Sequence, residues 1–309
     1  MLHQPVSNPS RARYRRDKGK LFVEPLLPTL VDAPPEGEQW VHEIKYDGYR
    51  TLIVNNAGQG SAFTRRGRDW TARYVPVVSE ACRLRCRSCA IDGEMIVQDA
   101  QGRSDFASFE ADVAATRSDR IVFMAFDLLE LDGYDMRWEP LRERRRRLAD
   151  LIGGHDPRAR IQFSESHEGS GAALLEAACA MGLEGVVSKK LTSTYRSGRQ
   201  KSWLKTKCYD EGEFLVVGAE HEPGKPAFAL LARETDTGLE YAGSAFVTLG
   251  GEERDRFWET VDAHARSRPV IPLAKGKGRR WVEPVLRIHA QHLKGAGKLR
   301  HATIREILP

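Results

Sequence analysis

Glu43-Ile44-Lys45-Tyr46-Asp47-Gly48-Tyr49-Arg50 is the stretch on which the reading of this 309-residue chain turns. Ahead of it, Trp40-Val41-His42-Glu43-Ile44 alternates large apolar with polar residues, the period of a half-buried strand that ends at Lys45. Behind it, Arg50-Thr51-Leu52-Ile53-Val54 reads as a second strand, closed by the turn formers Asn55-Asn56-Ala57-Gly58. Gly48 supports a tight turn that would aim the Lys45 amine into a cleft. A lysine at a strand end is ordinarily a solvated charge, so Lys45 by itself carries little. For its amine to attack near neutral pH, its pKa must fall through desolvation or neighbouring cations. Lys205 and Lys207 qualify as those cations. They lie two apart on a predicted strand, Ser202–Lys207, so both project from one face, which suits a polyphosphate.

Working outward, Ser61–Thr64 is a third short strand and residues 74–85 look helical. Ala90–Val97 reads as strand, tight turn at Asp92-Gly93, strand. Ser104–Ala115 is helical, and Ile121–Leu129 is a continuous apolar run, as a fully buried strand should be. Leu141–Ile152 is a helix whose basic face (Arg142, Arg144, Arg145, Arg146, Arg147) is expected to be solvated rather than bound to nucleic acid. Ala172–Met181 is a helix that stops at Gly182, and Gly185–Lys189 is a strand. Near residue 209 the character changes to short β-like runs (213–219, 227–233, 239–247, 281–289) broken by a helix near 251–265. Such a pattern over about a hundred residues fits an oligonucleotide-binding (OB) barrel.

The length predicts two domains. Hydrophobic residues at 41% and charged residues at 29% are ordinary for a globular chain. No apolar run approaches bilayer length and the N-terminus has no signal-peptide core, so a cytoplasmic protein is expected. Five cysteines are too few for a disulfide scaffold. Cys82, Cys86 and Cys89 lack the second Cys/His pair that a structural zinc would need. The net charge of +5 is matched by residues 1–20, where six basic side chains stand against Asp17. That basic arm is too poor in apolar residues to fold alone. It reads equally well as a phosphate-neutralising arm or as a solvated tail.

The order and wording of the short motifs say more than any one of them. Lys45-Tyr46-Asp47-Gly48, Thr64-Arg65-Arg66-Gly67, Asp92-Gly93-Glu94, Phe126-Asp127-Leu128-Leu129, Glu184-Gly185-Val186-Val187-Ser188-Lys189 and Trp203-Leu204-Lys205-Thr206-Lys207 follow one another over about 160 residues. In this they resemble the covalent nucleotidyltransferase superfamily of DNA ligases, RNA ligases and capping enzymes. The flanks are similar to the ligase domain of bacterial non-homologous end-joining ligases (the LigD type): Phe22-Val23-Glu24-Pro25, Arg68-Asp69-Trp70-Thr71, Tyr195-Arg196-Ser197-Gly198, and Trp281-Val282 through Arg300-His301-Ala302-Thr303.

The resemblance implies an α+β chain: a basic disordered arm at 1–20, an adenylation (nucleotidyltransferase) domain of antiparallel sheets and helices at 21–208, and an OB-fold β-barrel at 209–309. It implies an ATP-dependent DNA ligase that seals 3′-OH/5′-phosphate nicks through a lysyl-AMP intermediate on Lys45, in double-strand break repair or end joining. It places Glu43 beside adenine, Arg50 and Arg65 at the ribose, phosphate or nick 5′-phosphate, and Glu94 at the ribose or a metal. Phe126 would stack on adenine with Val186 as apolar cover, and Lys205 and Lys207 would meet the α-phosphate. Glu184, Glu94 and Asp47 would hold Mg2+ or Mn2+. Nicked duplex DNA would be gripped through its phosphates by Arg50 and Arg65 and by the basic stretch Lys275, Lys277, Arg279 and Arg280. A Ku-like end-binding protein and a separate polymerase are the expected partners of a monomer associated with the nucleoid. Ligases of this type end in an acidic-Lys pair. Arg305-Glu306 stands near that place here without the lysine, so slow self-adenylation is expected. An RNA ligase of the same superfamily, or a DNA-end-binding protein without activity, are the competing readings.

Overall fold

The computed structural model describes residues 22–154, 156–273, 276, 278–294 and 298–309. The basic arm and the candidate residues Lys275 and Lys277 lie outside the described residues. The chain divides after Lys207 into two compact units, each with its own core.

In the first unit the elements follow in the order β1 (Leu26–Leu30), β2 (Trp40–Ile44), β3 (Tyr49–Asn56), β4 (Gln59–Thr64), α1 (Val75–Ala81), β5 (Ser88–Val97), α2 (Phe106–Ala114) and β6 (Ile121–Leu131). After them come β7 (Tyr134–Asp135), α3 (Leu141–Ile152), β8 (Ile161–Phe163), β9 (Ser166–His167), α4 (Gly171–Ala180), β10 (Gly185–Lys190) and β11 (Gly198–Lys207). They form two sheets. One has the order β1-β11-β10-β2-β9; the other runs β4-β3-β5-β6-β7, with β8 also against β6. Pairing is antiparallel except for β1 with β11 and β6 with β8.

The inner faces of the two sheets meet through Leu26, Val41, Leu52, Val54, Ala90, Phe126, Leu129 and Trp203. The far face of the second sheet is covered by Val77, Val78 and Ala81 of α1 and Phe109 and Val113 of α2, packed on Ile53, Ile91, Phe123 and Ala125. Burial on both faces explains why β6 reads as an unbroken apolar run. Helix ends match their chemistry. The Asp105 side chain accepts from Ser108 N (3.0 Å) at the start of α2, and Gly182 at φ +72° follows α4.

Two local expectations are corrected. Ala90–Val97 holds no turn: β5 is one continuous strand whose register against β6 shifts beside Ala90 and at Asp92/Gly93. Gly93 is there because a Cβ would lie 2.4 Å from the Phe123 ring and 2.6 Å from Met124 O. Gly48 likewise serves a close approach and not a left-handed turn, since a Cβ would lie 2.0 Å from Met95 O on β5.

The second unit contains β12 (Tyr209–Glu220), β13 (Phe228–Thr235), β14 (Gly238–Phe246), α5 (Gly251–Ala263), β15 (Ala265–Arg266), β16 (Arg279–Val282), β17 (Arg287–Leu293) and β18 (Leu299–Ile307). The pairings β12-β13-β14-β18-β17-β12 return to their starting strand, so five strands close into a barrel. The β14–β18 pair is parallel, and α5 lies between the third and fourth strands of the ring. Its core takes Phe214, Val216, Ala229, Leu231, Ile288 and Ile304 from the strands and Phe257 and Val261 from α5. This is the curled, OB-like sheet that the spacing of short strands implied. The expected run 281–289 is two strands split at 283–286, around Pro284, and β18 carries the segment read only as a closing motif.

Candidate active site

The alternation of strands builds the site. Glu43 on β2 pairs in register with Val187 on β10, and Val187 with Lys205 on β11; Val41, Lys189 and Trp203 form the next row. Residues two apart share a face, so Val41 and Glu43, Val187 and Lys189, and Trp203 and Lys205 all look inward across the first sheet. From the opposing sheet Arg50 pairs with Glu94 and Leu52 with Asp92, and Phe126 rises from β6. Between these two surfaces opens a cavity of about 190 Å3. Its wall includes Glu43, Lys45, Arg50, Arg65, Glu94, Phe126 and Lys205 of the predicted set, together with Val187, Lys189, Arg199 and Trp203.

Lys45 follows β2 directly. Its backbone N–H donates to Gly185 O (2.9 Å), and its Nζ donates to Glu184 Oε2. Glu184 is buried, and its Oε1 lies 3.4 Å from Lys207 Nζ. Burial alone would push this carboxyl up, but Lys45 and Lys207 outweigh it and hold it below its ordinary value. Lys205 and Lys207 are both shifted down, first by burial and then by the proximity of the other amines. Lys45, Lys205 and Lys207 thus gather around the Glu184 carboxylate at one end of the cleft. Asp47 lies close enough to oppose the downward shift of Lys207.

On the facing sheet Arg50 makes a two-pronged contact with Asp92 (Nε–Oδ1 3.0 Å, Nη2–Oδ2 2.6 Å). Asp92 also accepts from Tyr195 Oη at 2.7 Å. That leaves the Arg50 guanidinium 5.2 Å from the Phe126 ring centre and 5.5 Å from that of Trp203. Burial pushes the Glu94 carboxyl up to about 8, with Lys45 and Arg50 opposing and Glu184 adding. Arg65 is exposed at the rim, and a second depression of about 590 Å3 continues past it along Arg66, Arg68 and Trp70.

Several placements differ from the sequence reading. Val186 is fully buried and faces away; Val187 lines the cavity, because successive strand residues alternate sides. The α3 basic face is not uniformly solvated. Arg144 and Arg145 are buried, Arg144 in a fork–fork pair with Asp127 (2.7 and 2.8 Å) and Arg145 on Glu43 (2.8 Å). Arg142, Arg146 and Arg147 are exposed as expected. In the second unit Arg279 and Arg280 already have acidic partners, Glu220 and Asp262. Among the described residues no three His, Cys, Asp or Glu side chains converge as a ready metal site. Cys82, Cys86 and Cys89 are free thiols. Lys189, Trp203 and Arg145 were missed as site residues. The signal for Trp203 was present, since it sits two before Lys205; Lys189 sits two after Val187, whose inward face strand period alone does not choose.

The unit that holds the cavity matches a known sequence family. Residues 29–207 match the family described as the ATP dependent DNA ligase domain. The chain belongs to that family. It is 34% identical over 298 residues to the multifunctional non-homologous end joining protein LigD of Pseudomonas aeruginosa, covering 91% of this chain and 35% of that protein. It is 30% identical over 200 residues to the SPbeta prophage-derived DNA ligase-like protein LigB of Bacillus subtilis, covering 64% of this chain and 72% of the relative. A mycobacterial DNA ligase D solved in complex with ATP and MES superposes with a TM-score of 0.56 at 27% identity, over 92% of this chain and 94% of that one. The chain therefore spans about a third of the length of the Pseudomonas LigD relative and nearly all of the solved ligase structure. Among the described residues no helix is long and apolar enough to cross a membrane.

Proposed function

We propose that this chain is an ATP-dependent DNA ligase that seals 3′-OH/5′-phosphate nicks through AMP carried on Lys45. The observation that carries this reading is the position of the Lys45 amine: at the cavity wall beside Lys205, held by Glu184, and across from Arg50, Glu94 and Phe126. Lys45 Nζ attacks the α-phosphorus of ATP. A P–N bond forms, the bond to the β-phosphate oxygen breaks, and pyrophosphate leaves. AMP then passes to the 5′-phosphate of the nick, restoring the free amine, and the 3′-hydroxyl displaces AMP to form the phosphodiester. Charge on the phosphoryl oxygens is met by Lys205, Lys207, Arg50 and Arg65, preorganised by the two sheets. Phe126 offers its face to adenine, with Val187 as apolar cover in place of Val186.

Glu184, Glu94 and Asp47 do not converge as a ready site, so they would hold a divalent cation, Mg2+ or Mn2+, together with the phosphate oxygens of ATP. Glu94, kept near 8 by burial beside Glu184, is a carboxyl whose charge such a cation would stabilise. When bound, the ion neutralises the phosphate oxygens it contacts. The end-joining names of the relatives support a role in double-strand break repair; placement in the cytoplasm at the nucleoid, with a Ku-like end-binding protein and a separate polymerase as partners, is part of the same proposal. Arg50, Arg65 and the stretch Lys275, Lys277, Arg279 and Arg280 would meet DNA phosphates. The proposed domain limits are 21–208 for adenylation and 209–309 for the OB fold, one residue from the division after Lys207.

The test uses ATP labelled in the α-phosphate, then a chase with nicked duplex DNA. Label is expected on the protein, then on DNA, and Lys45→Ala should give neither. Labelling that persists in Lys45→Ala would overturn the mechanism. Labelling from GTP, or sealing of nicked RNA alone, would redirect it to a capping enzyme or an RNA ligase.

A further inference from the structure

The least expected group in the cavity is Lys189. Its side chain is 2% exposed, yet it is a cation amid aromatic rings. Its Nζ lies 4.3 Å from the Phe126 ring centre and 4.2 Å from that of Trp203, and 2.7 Å from Glu43 Oε1. Phe126 and Trp203 meet edge to face with centroids 5.8 Å apart, so one ammonium contacts both members of an aromatic pair. Desolvated cation–π contacts of this kind are among the stronger ones.

Glu43 is equally committed. Oε1 accepts from Arg145 Nη1 (2.8 Å) and lies against Lys189, and Oε2 accepts from Ser164 Oγ (2.7 Å). These three partners take most of the carboxylate's roughly four acceptor positions. Glu43 holds a cation under the rings, two residues before Lys45, which follows β2 directly.

We propose that Lys189 is a positioning residue for nucleotide binding: its ammonium ties Glu43, on the strand that leads into Lys45, to the Phe126–Trp203 pair, so that the aromatic wall meeting the base is preformed. The tie spans β2, β6, β10 and β11, the four strands that contribute Glu43, Phe126, Lys189 and Trp203. Without it, Phe126 can turn about its side-chain torsions, and the ring must be ordered when nucleotide binds. That cost falls on binding and leaves the attack of Lys45 on the α-phosphorus nearly untouched. Glu43 keeps Arg145 and Ser164 as partners when Lys189 is replaced.

The inference rests on reading the cavity as the ATP site. The experiment measures lysyl-AMP formation against ATP concentration for the wild type, Lys189→Met, Lys189→Gln and Lys189→Arg, with thermal unfolding of each. Lys189→Met should raise the KM for ATP by about tenfold or more while kcat changes less than about threefold. Lys189→Arg, which keeps a cation and stacks on aromatic faces, should recover most of the affinity. A folded Lys189→Met with unchanged KM, or with kcat lowered and KM intact, overturns the proposal, as does a Lys189→Arg no better than Lys189→Met. Should Lys189→Met not fold, Lys189→Gln against Lys189→Arg decides on the same criteria. Failure of the wild type itself to take label from ATP is a different result and counts against the ATP reading.

Discussion

At the scale of the residue, the site is governed by which charges are buried with partners and which are not. Asp127 and Arg144 are both fully buried and joined by two hydrogen bonds, and the Arg144 guanidinium also donates to Glu139 O and Ser193 O. Arg144→Met strands the Asp127 carboxylate in the core and should cost about 3–5 kcal/mol of unfolding free energy, read by denaturant titration. The paired change Asp127→Leu with Arg144→Met should recover much of that loss. Lys189 makes a prediction in pH. Burial lowers it from 10.5 to about 8, against the pull of Glu43 and Asp127 and with Arg145 adding to the fall. Below pH 8 both folded and unfolded chains hold the proton, and the cost of burying the cation is present in full. Between pH 8 and 10.5 the unfolded chain holds the proton and the folded one does not, so this group makes stability rise with pH across that window. The difference in unfolding free energy between pH 7.5 and 9.5 should therefore be less favourable to the folded state in Lys189→Met than in the wild type. An identical difference in the two proteins would show that Lys189 does not titrate there.

At the scale of the element, the strands carry the logic of the site through their two-residue period. Gly48 and Gly93 are the points where backbone passes close to backbone or ring. Gly48→Ala would drive a Cβ into Met95 O and force β3 away from β5, moving Arg50 from Glu94. Lysyl-AMP formation should fall by about tenfold or more, since a shift near 1 Å in a positioned group costs about that much or more. Much of this was legible beforehand. The parity of Lys205 and Lys207, the buried run of β6, the extent of α3 and the stop at Gly182 all follow from local pattern. What was not legible depends on distant segments. Helical spacing cannot show that Arg144 and Arg145 find Asp127 and Glu43, which lie 17 and 102 residues away. Strand period cannot choose between Val186 and Val187 until the inner face is known. The Gly93 turn was misread because a glycine demanded by the Phe123 ring looks, in sequence, like one demanded by a turn.

At the scale of the whole molecule, two independently cored units stand on one chain: a two-sheet unit that holds the cavity, and a five-stranded barrel with α5. A ligase must accept any sequence, so its grip on DNA should be made to phosphates. Binding to a nicked duplex should then weaken linearly on a log–log plot against salt, with a slope of about −0.9 per phosphate neutralised. Arg65→Ala, at the exposed rim, should reduce that slope by about one unit; a slope unchanged by the substitution would place Arg65 away from the backbone. Adenylation of Lys45 is read most directly by mass spectrometry of the peptide containing it after incubation with ATP and a divalent cation, under alkaline handling that preserves a P–N bond. One AMP is expected on Lys45, lost when pyrophosphate or a nicked duplex is added. AMP on another residue, or none on a protein that seals nicks, would contradict the Lys45 mechanism.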